Sequence, residues 1–217
     1  MATPLRLLSP LEARVLGVLV EKQHTVADSY PLSLNALVLG CNQKTARDPV
    51  IAATDAEVLV AIDGLKALAL VVEVSGSRVA RFEHNFKRVL GVPGQSEALL
   101  TLLMLRGPQT AAELRASTER LHRFADISSL EAYLAELRDR PAGALVVELP
   151  RAPGSRENRW MHLIGGAPKM AAPAGDDGDD ARSGLTCGDF DRLAALEERV
   201  ARLEAVIAAM GSAQSAR

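Results

Sequence analysis

Leu70-Val71-Val72-Glu73, a turn at Ser75-Gly76-Ser77 and then Arg81-Phe82-Glu83-His84 recur further along the chain as Leu145-Val146-Val147-Glu148, a turn over residues 151–156 containing Pro153 and Gly154, and Arg159-Trp160-Met161-His162. The first strings are offset by 75 residues and the second by 78, so the second turn is three residues longer. Short β-branched and aromatic runs on either side of a glycine-containing turn read as a β-hairpin. Repetition at a fixed period means that one structural unit is used twice.

Upstream of each hairpin the hydrophobic period changes from two to 3.6, and capping boxes mark helix starts. Ser9 with Glu12, and Pro10 at the first helical position, opens a helix through about Glu21. A second apolar helix falls between Pro31 and Gly40, and Thr54 with Glu57 opens a third, with Val58, Ile62, Leu65 and Leu68 on one face. In the second copy a helix begins near Ser96 and ends at Gly107-Pro108, and Thr110 with Glu113 and Ser128 with Glu131 open the other two. Three helices and then a hairpin is the order of a winged helix. The expected class is mainly α with small β-hairpins (α+β): a winged-helix domain over residues 1–90 and another over 91–166. A single bundle of six helices would leave two separated hairpins unexplained.

The strings Tyr30-Pro31-Leu32-Ser33-Leu34-Asn35-Ala36-Leu37, Cys41-Asn42-Gln43-Lys44-Thr45-Ala46-Arg47-Asp48-Pro49-Val50 and Pro153-Gly154-Ser155-Arg156-Glu157-Asn158-Arg159-Trp160-Met161-His162 resemble the YceH family of bacterial proteins over about residues 9–164. The resemblance implies a tandem winged-helix fold, in agreement with the repeat. It implies no particular activity, because a fold alone does not fix a function.

Hydrophobic residues make up 48% of the 217 and charged residues 24%, the composition of a globular chain and not a disordered one. Aromatics are only 3%, so the cores are built from Leu, Val and Ala. No apolar stretch approaches the length of a membrane helix, and Glu12 and Arg14 interrupt the first one in a way that a secretory signal does not tolerate. Cys41 and Cys187 have no paired spacing, which suits a reducing cytoplasm and gives neither a disulfide framework nor a zinc site. Residues 171–217 carry a net charge of −4 and the rest +2, so the body is only mildly basic. That balance neither requires nor excludes nucleic acid.

A duplex-binding winged helix would present donors from its third helix to the major groove and basic side chains from its wing to phosphates. The hairpins offer Arg78 and Arg81, followed by Lys87 and Arg88, and in the second copy Arg151, Arg156 and Arg159. The third helices fit poorly. One carries Asp55, Glu57, Asp63 and Lys66, the other Glu131, Glu136 and Arg138 ahead of Asp139 and Arg140, and acidic helices repel phosphates. Asn42, Gln43, Lys44 and Arg47 form a polar stretch before Pro49, read as a loop that either binds bases, phosphates or a partner's carbonyls or closes the preceding helix through its own side chains. His84 and His162 share a sheet face with Phe82 and Trp160 and read as histidines bordering a core. No catalytic, cofactor or metal signature is present in the sequence, so the chain reads as non-enzymatic with no cofactor.

Residues 167–188, with Pro168, Pro173 and the acids Asp176, Asp177, Asp179 and Asp180, read as a flexible, self-repelling linker. Over 189–212, Leu193, Leu196, Val200, Leu203, Ile207 and Met210 alternate spacings of three and four. This is a heptad seam suited to a parallel homodimer, or else the apolar stripe of one helix that folds back. The leading expectation is a DNA-associated protein in a regulatory or nucleoid role, with wings on double-stranded DNA. The alternative is a scaffold that uses the same surfaces for a protein partner.

Overall fold

The computed structural model describes residues 6–74, 79–151, 154–155 and 157–166, all within the first of the two units, 1–170 and 171–217, into which the chain divides. The linker, the heptad seam, Arg78 and Arg156 lie outside the described residues. What is described is mainly helical, with two small antiparallel sheets.

The first repeat begins with α1 (Pro10–Thr25), opened by the expected box: the Ser9 hydroxyl accepts from Glu12 N–H, and the Glu12 carboxylate accepts from Ser9 N–H at 2.7 Å. After a 3-10 turn (Ala27–Ser29) come β1 (Leu32–Ser33) and α2 (Leu34–Cys41). The sequence predicts helix from Pro31, but Ser33 is the extended N-cap of α2, its hydroxyl accepting from Ala36 N–H. Residues before a cap are not helical, and Leu32 and Ser33 instead join a sheet. The Thr54–Glu57 box opens α3 (Asp55–Ala67), followed by β2 (Val71–Val74) and β3 (Arg81–His84). β3 is central, with β2 on one side and β1 on the other; Leu32 faces Phe82 and Ser33 faces Arg81. A one-turn helix, α4 (Phe86–Leu90), which the sequence reading does not anticipate, leads into the second repeat.

There, α5 (Gly94–Arg106) ends at Gly107, whose φ of 71° favours glycine, and Thr110 with Glu113 opens α6 (Ala111–Thr118). The third helix, α7 (Ile127–Arg138), starts earlier than the Ser128–Glu131 box predicts. Asp126 is its cap, accepting from Ser129 N–H at 2.7 Å, so Ser128 lies inside the first turn. The second sheet pairs β4 (Val146–Leu149) with β5 (Arg159–His162). Its register repeats that of the first: Val146 faces His162 as Val71 faces His84, and Glu148 faces Trp160 as Glu73 faces Phe82. The counterpart of β1 is a single bridge from Gln109 to Trp160.

Every residue from Glu12 to Val20 of α1, and from Ser96 to Leu105 of α5, is buried. A helix apolar on all sides needs cover on all sides, and α1 receives it from α2, α3 and α5. Glycines permit the close approaches: a Cβ on Gly17 would stand 3.0 Å from the Leu105 side chain, and one on Gly40 2.6 Å from Val18 Cγ1. One buried cluster runs through both repeats, from Leu16, Leu37 and Ile62 to Leu99, Leu130 and Trp160.

Candidate functional site

The polar loop after α2 is held by its own side chains. Asn42 donates from Nδ2 to Ala53 O and accepts at Oδ1 from Ala53 N–H, both at 2.8 Å, which closes the loop like a rung of sheet. The Arg47 side chain is fully buried; its Nη2 lies 2.5 Å from Glu21 Oε2 on α1 and its Nε donates to Gly40 O at 3.2 Å. Gln43 Oε1 accepts from Arg47 Nη2 at 2.7 Å and Lys22 Nζ at 3.4 Å. Lys44 alone of the four is exposed. The loop therefore reads mainly as a helix-closing network, with three of its four polar side chains engaged inside it.

Two of the hairpin arginines, Arg81 and Arg159, are engaged with the protein's own groups. Arg81 Nη1 donates to Pro31 O at 2.7 Å, and Arg159, at the matching position, donates from Nη1 to Pro108 O at 3.3 Å while its Nη2 stands 3.5 Å from Glu113. Both arginines thus tie their hairpin to the segment ahead of the repeat's second helix. Lys87 and Arg88 belong to α4, not to a hairpin.

Both third helices carry paired cations. Lys66 Nζ lies 2.7 Å from Glu73 on β2, and Arg138 lies 2.8 Å from Asp139 and 3.9 Å from Glu148 on β4. The outward face of α3 presents Leu59 and Val60, 43% and 72% exposed, among Asp55, Glu57 and Asp63. On α7 the outward residues are Ile127, Ser128, Glu131, Ala132, Glu136 and the acid-paired Arg138. Each repeat turns an acidic and apolar surface to solvent where a duplex-binding helix would need free donors.

Two buried charges escape the sequence reading. Glu97 lies in the first turn of α5 with its side chain 1% exposed, 3.5 Å from Lys87 Nζ, 3.7 Å from His84 Nδ1 and 3.9 Å from His24 Nε2. Burial raises its pKa against the pull of Lys87. Arg14, in the middle of α1, is 3% exposed. Each is a lone charge in an apolar run, and that was the available signal. His84 donates from Nε2–H to Gln23 Oε1 at 2.7 Å, and burial pulls its pKa down to about 4. His162 is drawn down to about 4 by the same cause. The buried Cys41 thiol is pushed up to about 11. Among the described residues no group of three His, Cys, Asp or Glu side chains is placed to hold a metal, and no helix is long and apolar enough to cross a membrane.

A family model described as a protein of unknown function, DUF480, matches residues 8–155. The chain is 66% identical to a UPF0502 protein of Methylibium petroleiphilum over 200 residues, covering 90% of this chain and 83% of that protein. It is 61% identical to a UPF0502 protein of Dechloromonas aromatica over 204 residues, covering 92% and 94%. With a UPF0502 protein of Burkholderia ambifaria the figures are 59% over 218 residues, covering 98% and 92%.

Proposed function

Since the chain belongs to the DUF480 family, whose description assigns no activity, we propose a role from its side chains: a non-enzymatic protein-interaction module of two winged-helix repeats. The observation that carries this reading is the outward surface of the third helices. Their two basic side chains, Lys66 and Arg138, are paired with acids, and Val60, Leu59 and Ile127 are exposed beside Glu57, Asp63 and Glu131. Exposed apolar side chains rimmed by charge suit a protein partner with a complementary apolar and basic surface. Such helices repel phosphate. The heptad seam from Leu193 to Met210 would join two chains in parallel and double the number of faces.

A second reading, association with double-stranded DNA, is favoured by the exposed Lys44 and by Arg78, Arg151 and Arg156 at the hairpin turns. Two measurements separate them. A photo-crosslinker placed at residue 60 in cells is expected to trap one stoichiometric protein, whose co-purification with the full chain is lost on Val60→Asp. Fluorescence anisotropy on a random duplex at low salt is expected to show no binding. Binding with a steep salt slope, flattened by Arg78→Ala and Arg156→Ala and indifferent to Val60→Asp, would replace the first reading with the second.

A further inference from the structure

A cavity of about 540 Å³ opens between the two repeats. Its walls come from Leu8, Leu11 and Ile51 of the first repeat and Leu103, Met104 and Met161 of the second, so it is mostly apolar. Cavities of about 300–1,000 Å³ with apolar walls and a few placed polar groups are the form that small-molecule sites take. The polar groups here are Arg14, His162, Asp48 and Glu57.

Arg14 is the unusual member. Its Nη1 donates to Cys41 O at 3.2 Å and its Nη2 to Pro49 O at 2.7 Å, which ties α2 and the following loop to α1. Its Nε is buried without an acceptor among the described residues. Arg47, the neighbouring buried guanidinium, is matched by Glu21, whereas Arg14 makes no ion pair among the described residues. Asp48 acts on it through its field alone, and burial lowers the Arg14 pKa. A guanidinium stays protonated in proteins, so this is a buried cation with two carbonyls as its hydrogen-bonding partners. Such a group is costly unless a counter-charge completes it. His162, from the second repeat, also lines the cavity, and its Nδ1 is buried without a partner among the described residues. With its pKa at about 4 the ring is neutral, able to donate one hydrogen bond without bringing a second charge.

We propose that this cavity binds a small organic acid, an apolar chain or ring bearing one carboxylate, for which Arg14 is the anchoring cation and His162 a steadying contact from the second repeat. One carboxylate matches one unpaired guanidinium, and the forked N–H geometry favours it. The acids Asp48 and Glu57 in the same wall exclude ligands of higher negative charge, such as phosphate esters. The apolar wall takes the rest of the molecule. The two anchors lie on α1 and β5, and of the polar lining only Glu57 belongs to a third helix, so the assignment does not rest on the exposed Leu59 and Val60 of the third-helix reading.

The full chain is titrated calorimetrically with octanoate, with octanol as the neutral control. Octanoate is expected to bind saturably, and octanol, or octanoate on Arg14→Met, at least about tenfold more weakly, the difference of one charge-assisted contact. Because removal of Arg14 also frees the loop, a second variant leaves the anchor intact: Ala52→Trp, at an exposed position on the rim, is expected to block octanoate with the fold unchanged. In a ¹⁵N spectrum the Arg14 Nε–H signal is expected to move on addition of octanoate. Absence of saturable binding, equal affinity for octanol and octanoate, binding retained by Ala52→Trp, or an unmoved Arg14 signal would each overturn the assignment.

Discussion

His84 and His162 face Val71 and Val146 in matching registers, and burial holds both imidazoles at about 4, down from 6.5. A base whose pKa falls on folding contributes stability that is complete above its unfolded pKa and is lost as pH falls toward the folded value. The window is therefore pH 6.5 to 4. Each histidine left uncharged in the folded state and charged in the unfolded one gives a slope of about 1.4 kcal/mol per pH unit. Urea unfolding between pH 6 and 5 is expected to show a loss of about 2–3 kcal/mol, and His162→Phe should roughly halve it. An unaltered slope in that variant would mean that His162 is solvated. Glu97 has the opposite sign: its raised pKa favours the fold at low pH and weakens it as the carboxyl ionises. Both histidines were legible as core-bordering, because alternation places each beside a buried aromatic. Arg14 and Glu97 were not, because whether a charge in an apolar run is covered depends on the other repeat, and α5 covers α1 from about eighty residues away.

Hairpins, and the helices opened by Ser9, Thr54 and Thr110, carry their signals locally, in alternation or in a three-residue spacing, and these elements lie where the sequence places them. Elements whose cause is distant do not announce themselves. β1 has two residues, too few to alternate, and it exists because β3, some fifty residues on, offers an edge. At α7 the cap is Asp126, two positions ahead of the Ser128 that the sequence reading chose. The Asp126 side chain takes Ser129 N–H while Ser129 Oγ returns to the Asp126 backbone, and these bonds hold its pKa below the usual carboxylate range. Asp126→Ala is expected to lower the urea midpoint, Asp126→Asn to recover most of the loss because Asn caps as well as Asp, and Ser128→Ala to leave it unchanged. A loss on Ser128→Ala with none on Asp126→Ala would move the helix start back to the predicted site.

At the scale of the whole described unit the question is whether the two repeats unfold together. α1 is buried on every side and one of those sides is α5, so neither repeat covers its own first helix. Gly40 offers a lever far from the second sheet. Replacing a helical Gly by Ala ordinarily gains about 1 kcal/mol. Here the new Cβ would meet Val18 Cγ1 at 2.6 Å, and a β-branched side chain held in one rotamer cannot turn aside. Overpacking costs about 1–3 kcal/mol, so Gly40→Ala should be net destabilising. The chain's one tryptophan, Trp160, is 7% exposed in the second repeat and reports that repeat alone. If the shared core makes one cooperative unit, Gly40→Ala shifts the Trp160 fluorescence transition in urea as far as it shifts the helical circular dichroism signal. A fluorescence transition that stays in place while the dichroism splits into two steps would show two cores that fold independently, with the α1–α5 contact too weak to couple them.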